Sequence, residues 1–225
     1  MDFIAATNNA HKLAEMRRIL ERLGHTVCSQ KEAGIALDPE ENGTTFAENA
    51  VIKAKAICAA SGKATIADDS GLCVQALGGA PGVYSARYCG VHGNDEANND
   101  KLLQVMHGEK NRAAKFVSSI CVYLPDNRHF TFEGECHGTI GTERKGTNGF
   151  GYDPLFIPDT VGVSATETAP NTQQRTYAEL SADEKDAISH RGRALALMEQ
   201  NLARLLLDKT VIGSTVGDTT IELKD

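Results

Sequence analysis

The alternation of short apolar runs with amphipathic segments in the first 70 residues constrains the possible folds more than any other feature. Residues 2–6 (DFIAA) and 26–30 (TVCSQ) predict strands, and the segment between them has the apolar spacing of a helix. Thr45 and Glu48 have the spacing of a capping box, which predicts a second helix. Residues 64–68 (ATIAD) predict a further strand. This β-α-β-loop-α-β order is typical of a largely parallel sheet with helices on its faces.

Later segments predict a hairpin and more helices. Residues 113–124 and 129–141 are rich in β-forming side chains, and the short PDNR between them is typical of an antiparallel hairpin. Residues 94–108 have a helical pattern, as does the segment that follows the capping-box pairs at Thr176 and Ser181. Residues 158–175 contain few apolar side chains, so we expect this segment to be mobile.

Composition excludes several classes of protein. A net charge of −7 argues against a protein that holds nucleic acid through its phosphates, because such a protein needs a basic face. The six cysteines form neither a Cys-x-x-Cys pair nor a zinc-type pattern, so we expect buried free thiols in a reducing cytoplasm. The first residues are too short and polar for a signal peptide, and no apolar stretch approaches the ~18 residues of a membrane span. We therefore predict a cytoplasmic protein with neither a membrane nor a nucleic-acid partner.

The polar segment TNNAHK, residues 7–12, lies between the first predicted strand and the first helix. In a parallel sheet, the carboxyl end of a strand and the amino end of the next helix face the same crevice. Free N–H groups there favour anions, and Lys12 adds a positive charge. The alternative is that Asn8 or Asn9 only caps the helix. The sequence has no Gly-x-x-x-x-Gly-Lys-Ser/Thr motif, which excludes a P-loop NTPase.

Two adjacent acids, Asp68 and Asp69, follow an apolar run and precede Ser70 and Gly71. We expect the strand to end here, which places DDSG at the same edge of the sheet as TNNAHK. Carboxylates suit Mg²⁺, which binds one or two of them together with substrate phosphates, and a carboxylate can also take a proton from water. The alternative is a turn in which the Asp side chains bond to nearby N–H groups. Two charges at a buried edge favour a functional site.

Two later segments also carry candidate residues. In GFGYDP, Phe150 combines a ring that can stack on a base with flexible glycines and with Asp153; the alternative is a core anchor. His190 and Arg191 lie in a helical pattern that a glycine interrupts, and they have no evident apolar role. Polar residues in that position indicate a site.

Five spaced motifs together resemble a known family. ATNNAHK, TFAENAVIKAKA, ADDSGLCVQALGGAPGVYSARY, GFGYDPLF and EKDAISHRG occur in this order between about residues 3 and 206. They closely resemble the inosine/xanthosine triphosphate pyrophosphatases, which remove deaminated purine nucleotides from the nucleotide pool. The resemblance implies an elongated α/β fold of two lobes around a long mixed sheet flanked by helices, a central substrate cleft, and a homodimer. We expect one catalytic domain over residues 1–208 and an extension of unknown role over residues 209–225.

The resemblance also implies a reaction and the residues that perform it. The reaction is hydrolysis of ITP, dITP or XTP to the monophosphate and pyrophosphate, with Mg²⁺ as cofactor. Glu41 and Asp69 match the metal-linked acids; Asp69, as proton acceptor, acts together with Lys12 and Lys53. The implied substrate contacts are Thr7, Asn8, Asn9, Ala10, His11, Lys12, Ser70, Phe150, Gly151, Tyr152, Asp153, Lys185, His190 and Arg191.

Several of these assignments stay open at the level of sequence. Asp68 either shares the role of Asp69 or only supports it, and Glu40 stands beside Glu41 in a polar loop where exposed acids are ordinary. A solvated helix face is the default for Lys53. Asn8 stands where most members of the family have Gly, so we expect a positive φ there. Residues 159–176 look longer than usual for the family.

Two other functions compete with this one. A pyrophosphatase for a different nucleotide is the first, and a nucleotide-binding regulator without the chemistry is the second; the intact DDSG and lysines count against the regulator.

Arg191 and Lys185 can donate to the 6-oxo group of hypoxanthine and xanthine but cannot accept from the 6-amino group of adenine. We therefore predict ITP and XTP as comparable best substrates, GTP well behind them and ATP poorest.

Overall fold

The computed structural model describes residues 1–164, 167–210, 212–217 and 221–223, the last of these by their backbone alone. Its helices are α1 (Ala10–Arg22), α2 (Phe46–Ser61), α3 (Asp95–Val105), α4 (Ala182–Ile188) and α5 (His190–Leu207), with short 3-10 helices at Gln75–Leu77, Gly82–Arg87 and Tyr177–Glu179. Its strands are β1 (Asp2–Ala5), β2 (Thr26–Ser29), β3 (Thr65–Val74), β4 (Ala113–Tyr123), β5 (His129–Ile140), β6 (Phe156–Pro158), β7 (Thr160–Gly162), β8 (Thr168–Pro170), β9 (Gly213–Val216) and β10 (Ile221–Leu223).

Most of these strands form one mixed sheet. The strand order is β10-β9-β5-β4-β3-β1-β2, with β6 beside β5. β1 pairs in parallel with β2 and β3, whereas β5 pairs in parallel with β9 and antiparallel with β6. Strands β7 and β8 form a separate antiparallel pair. The predicted α/β fold with a mixed central sheet flanked by helices is confirmed.

The chain forms two compact units. Unit 1 comprises Met1–Asp69, Ser118–Gly134 and Arg191–Asp225, and unit 2 comprises Ser70–Val117 and Glu135–His190. The predicted boundary at residue 208 stays a prediction. Strand β9 lies beyond that boundary, pairs with β5, and contributes Val216 to the buried core of unit 1.

Strand side chains in unit 1 alternate between two buried clusters, as the two-residue period of a strand requires. Phe3 and Ile66 pack with residues of α1 and α5, including Met16. Ile4 and Ala67, the next residue in each strand, pack with residues of α2. The sheet of unit 1 therefore has α1 and α5 on one face and α2 on the other.

Local caps fix where several helices begin. Thr45 and Glu48 form the predicted capping box at the start of α2, and Ser181 and Glu184 form the one predicted at α4. The box at Thr176 is also present, but it opens a short 3-10 helix. Where the chain is described, every helix is too short or too polar to span a lipid bilayer.

Two predictions are wrong, one about the end of β3 and one about the cysteines. The strand expected to end at residue 68 continues to Val74, because Leu72 and Val74 extend its apolar pattern into the core of unit 2. Residues 158–175, which are expected to be mobile, contain β7 and β8, and residues 165–166 lie outside the described chain; the mobility of this segment stays a prediction. The thiols were expected to be buried, but Cys28 is exposed.

Candidate active site

The two acids of DDSG lie where β3 continues beyond the end of its neighbour β1. The last residue of β3 that pairs with β1 is Ile66, opposite Ala5. Asp68 and Asp69 therefore follow the end of β1, on the strand that continues beside residues 7–12. Both acids are buried. Because adjacent strand residues point to opposite faces, Asp68 faces α1 and α5 while Asp69 faces α2.

Asp68 is held by two cations and a hydroxyl. Its Oδ2 lies 3.0 Å from Lys12 Nζ and accepts a hydrogen bond from Arg191 Nη2 at 3.0 Å. Its Oδ1 accepts a hydrogen bond from Ser118 Oγ at 2.6 Å. Burial by itself raises the pKa of Asp68, but Arg191, Lys12 and Ser118 outweigh it and hold that pKa well below its usual range. Asp68 is therefore a fixed anion.

Arg191 lies in the first turn of α5 and is fully buried. Its guanidinium pairs with Glu15 of α1 and with Asp68. Burial lowers the pKa of Arg191, but the charges of Asp68 and Glu15 outweigh burial. The pKa of Arg191 is therefore raised above its ordinary value. The predicted contact of Arg191 with a nucleotide base stays a prediction, while its described contacts favour a role in holding Asp68.

Sequence reasoning missed Glu15 and Ser118. Glu15 lies inside the apolar face of α1, next to the buried Met16. An acid in the buried stripe of a helix is the signal that indicates such a residue, because a buried charge needs a partner. Ser118 carries no comparable signal, since its hydroxyl meets Asp68 only through the pairing of distant segments.

On the opposite face, Lys53 lies between two carboxylates. Its Nζ donates to Asp69 Oδ1 at 3.3 Å and to Glu41 Oε2 at 3.2 Å. It also donates to the backbone oxygen of Asp68 at 3.0 Å. The default expectation of a solvated Lys53 is wrong, because α2 turns this side chain towards β3. Glu40, the alternative acid, is exposed.

Asp69 combines a raised pKa with an unused oxygen. Burial raises the pKa of Asp69, and the nearby charges of Glu41 and Asp68 add to that effect, while Lys53 and Lys12 oppose it. Among the described side chains, none donates a hydrogen bond to the buried Oδ2 of Asp69. An oxygen in this state can accept a proton or bind a cation.

The carboxylates of Glu41 and Asp69 suit Mg²⁺ when substrate phosphates supply further ligands. Within the described chain, no three His, Cys, Asp or Glu side chains lie close enough to enclose a metal ion. Glu41 and Asp69 nevertheless share one cation, Lys53, and Oδ2 of Asp69 is unused. Mg²⁺ is usually held by one or two carboxylates, and substrate phosphates and water complete its octahedral shell. This donor set therefore suits Mg²⁺ that arrives with a phosphate ligand.

The segment TNNAHK forms the start of α1. Asn9 is the N-cap, and its Oδ1 accepts from the N–H groups of His11 and Lys12 at 3.0 Å each. The N–H of Asn9 donates to Thr7 Oγ1 at 3.1 Å. Asn9 thus caps α1, and the contact of residues 7–12 with phosphate stays a prediction. Ala10 and His11 are exposed at the first turn.

The expected positive φ at Asn8 is wrong. Non-glycine residues with positive φ are confined, in the part of the chain that the structure describes, to Asn127 and Gln174. Asn8 instead donates from its side-chain amide to Asp38 Oδ1 at 3.2 Å. The turn into α1 therefore needs no left-handed residue at this position.

A second group of predicted residues lies in unit 2. Lys185 Nζ donates to Asp153 Oδ2 at 2.7 Å, and both side chains are buried. The same carboxylate oxygen accepts the N–H of Phe150 at 3.0 Å. Lys185 Nζ also lies 5.1 Å from the centre of the half-buried Phe150 ring, within cation–π range. The structure thus brings Phe150, Asp153 and Lys185 together.

Two further predicted residues of unit 2 are packed into its core. The Tyr152 hydroxyl donates to the backbone oxygen of Ser85 at 2.9 Å. The ring of His190 stacks on Phe116 with 4.8 Å between centroids. The alternative of a core anchor, weighed for Phe150, therefore describes Tyr152. Ser70 is half-buried within β3.

The fold and these contacts define an α/β protein in which two buried carboxylates lie beside half-buried lysines beyond the end of a parallel strand. Comparison with known proteins gives this class a name. The family model described as the Ham1 family matches residues 3–201. The chain belongs to the Ham1 family.

Relatives and solved structures agree with this assignment. A dITP/XTP pyrophosphatase of Corynebacterium efficiens is 47% identical over 210 residues, which cover 91% of this chain and 99% of the relative. One from an Exiguobacterium species is 46% identical over 202 residues, covering 90% and 97%. The structure of the Staphylococcus aureus Ham1 protein matches with a TM-score of 0.76 and 38% identity, covering 91% of this chain and all of that one.

Proposed function

We propose that this protein hydrolyses deaminated purine nucleoside triphosphates, namely ITP, dITP and XTP, to the monophosphate and pyrophosphate, and so removes them from the nucleotide pool. The observation that carries the proposal is the placement of Lys53 between Glu41 and Asp69, with an unused, buried oxygen on Asp69. That arrangement suits the hydrolysis of a polyanion. The similarity to relatives named dITP/XTP pyrophosphatase, nearly end to end, supports the choice of substrate.

Asp69 is the proposed proton acceptor. Its raised pKa makes its carboxylate a better base than an exposed aspartate. As a water molecule attacks the α-phosphorus, its proton passes to the carboxylate of Asp69. The bond from the α-phosphorus to the oxygen that bridges to the β-phosphorus breaks, and pyrophosphate leaves with that oxygen.

Positive charge near this carboxylate stabilises the reacting phosphates. Lys53 and Lys12 are the proposed cationic contacts, and each already lies against an acid of DDSG. Glu41 and Asp69 are the proposed ligands of Mg²⁺. When bound, the metal offsets the charge of the triphosphate and polarises its oxygens.

The proposed base contacts are residues of unit 2. Phe150 offers a ring for stacking, and Lys185 offers a donor for the 6-oxo group. Asp68, Glu15 and Arg191 are proposed to hold the phosphate-side residues in place, with Asp68 as the fixed anion that orients Lys12. A homodimer, a cytoplasmic location and an elongated two-lobed shape with a central cleft stay predictions of the resemblance. Light scattering of the purified protein tests the dimer.

Pyrophosphate release across a panel of triphosphates tests the function. We expect ITP and XTP to give the highest and comparable kcat/KM, GTP to fall well behind, and ATP to be poorest. EDTA should abolish turnover and excess Mg²⁺ should restore it. Asp69→Asn removes the proposed proton acceptor while keeping the size of the side chain, so its kcat should fall by at least about a hundredfold. A preference for ATP, or near-normal turnover by Asp69→Asn, would contradict the proposal.

A further inference from the structure

The segment that carries Phe150 has no helix or strand to shape it. Residues 146–153, here called the base loop, form turns and bends. Gly149 and Gly151 have φ of +76° and +60°, in the left-handed region that side chains other than glycine rarely adopt. A glycine-rich segment of this kind has many accessible conformations, so contacts from outside must select one of them.

Helix α3 supplies two of those contacts, both to Gly151. Asp95 Oδ2 accepts the N–H of Gly151 at 2.8 Å. Asn99 Nδ2 donates to the carbonyl oxygen of Gly151 at 2.8 Å and to the backbone oxygen of Asp95 at 2.9 Å. One peptide position of the loop therefore has both its donor and its acceptor held by side chains one helical turn apart.

Asp95 and Asn99, with their bonds to Gly151, are here called the clamp. The geometry of Asn99 leaves the clamp little freedom. Its side chain is buried, and both groups near its amide are carbonyl oxygens. The amide nitrogen must face them, because a reversed amide would set oxygen against oxygen. The other bond of the clamp runs from the N–H of Gly151 to the side-chain carboxylate of Asp95. Hydrogen bonds to charged groups are stronger than bonds between neutral groups.

Phe150 lies between this clamp and a second one. Asp153 Oδ2 accepts the N–H of Phe150 at 3.0 Å, and Gly151 follows immediately. The backbone on both sides of the Phe150 ring is thus tied, to Asp153 on one side and to α3 on the other. Losing the α3 contacts would remove the restraint on Gly151, directly beside the Phe150 ring, and leave the bonds between Asp153 and the backbone of Phe150.

We propose that Asp95 and Asn99 are positioning residues that fix the base loop and thereby orient Phe150 for stacking on the nucleobase. The inference rests on the proposed function for its substrate. The clamp acts on how well the base is held and on the choice between bases, and it acts on the hydrolytic step only through binding.

Steady-state kinetics provide the first test. Asp95→Ala should raise KM for ITP by about tenfold, the loss expected for one bond to a charged group, and change kcat much less. It should also narrow the ratio of kcat/KM between ITP and ATP. Asp95→Asn keeps an acceptor and should restore most of the parent KM. Glu96→Ala is the matched control, because it removes an exposed acid from the same first turn that contacts Arg144 at 3.4 Å.

A fluorescence measurement tests the clamp without turnover. The chain contains no tryptophan, so Phe150→Trp introduces a single reporter into the base loop. In that background, Asp95→Ala and, separately, Asn99→Ala should increase quenching by acrylamide, whereas Asp95→Asn and Glu96→Ala should not. The Asn99 variant keeps the test decisive if Asp95→Ala does not fold.

The outcomes separate the two proposals. If the parent hydrolyses no deaminated nucleotide but quenching rises as expected, the proposed function fails and the clamp stands. If the parent is active and neither KM nor quenching changes in the α3 variants, the clamp is wrong. A fall in kcat with unchanged KM would also overturn it, since that pattern indicates a role in the chemical step.

Discussion

Asp68 and Asp69 are neighbours in sequence with opposite electrostatic surroundings. Asp68 faces Lys12 and Arg191, and its pKa is held well below the usual range. Asp69 faces Glu41 as well as Lys53, and its pKa is raised. Because a strand turns adjacent side chains to opposite faces, two acids in a row gain two different environments. One serves as a structural anion and the other is available for chemistry.

These environments predict opposite effects on stability. Asp68→Asn should lower the free energy of unfolding by about 3 kcal/mol at pH 7, because it removes the negative charge that faces the buried Arg191 and the half-buried Lys12. Because the pKa of Asp68 is lower in the folded protein than in the unfolded chain, this carboxylate stabilises the fold at pH values above its unfolded pKa. The contribution is lost as the pH falls through the pKa of the folded protein. The difference between parent and variant should therefore persist at neutral pH and narrow only below about pH 4.

Asp69→Asn serves as the contrasting variant. A raised pKa means that the fold disfavours the ionised carboxylate, so its removal should leave stability unchanged or slightly increased at pH 7. Urea unfolding of the parent and both variants at several pH values measures the contrast. Equal destabilisation by the two substitutions would show that the surroundings of the acids are not as different as described.

At the scale of elements, local signals predicted more than distant ones. The capping boxes and the hairpin of β4 and β5 were predictable because each depends on a few neighbouring residues; across the hairpin turn, Leu124 N–H donates to Arg128 O at 2.9 Å. The extension of β3 past Asp69 was missed because two adjacent acids predict the end of a strand, whereas Leu72 and Val74, which continue it, are buried against distant segments of the chain. Asp95 and Asn99 were missed because their contacts join α3 to a segment that is distant in sequence.

The capping box of α2 gives an element-scale prediction. Thr45 Oγ1 accepts the N–H of Glu48 at 3.2 Å, and Glu48 Oε2 accepts the N–H of Thr45 at 3.2 Å. Thr45→Ala should lower the free energy of unfolding by about 1 kcal/mol, the usual loss for a helix cap. Thr45→Ser retains the oxygen and should stay close to the parent in the same urea titration. If the alanine and serine variants prove equally stable, the cap does not stabilise α2.

At the scale of the whole molecule, the cysteines sample different degrees of burial. Cys58 and Cys121 are buried in the cluster of unit 1 that faces α2, and Cys136 is buried in the core of unit 2. Cys28 is exposed, and Cys73 and Cys89 are intermediate. Burial raises the pKa of the Cys121 thiol more than a hydrogen bond with Thr131 lowers it, so little thiolate forms there.

Thiol labelling should follow this distribution. With a disulfide reagent such as DTNB at neutral pH, Cys28 of the native protein should react first, because its side chain is exposed to the reagent. Cys58, Cys121 and Cys136 should react only as the protein opens, and all six thiols should react in denaturant. Cys28→Ser is the control and should remove the fastest phase while leaving the protected thiols unchanged. Rapid labelling of more than three thiols in the native protein would show that the clusters around the buried cysteines are not closed in solution.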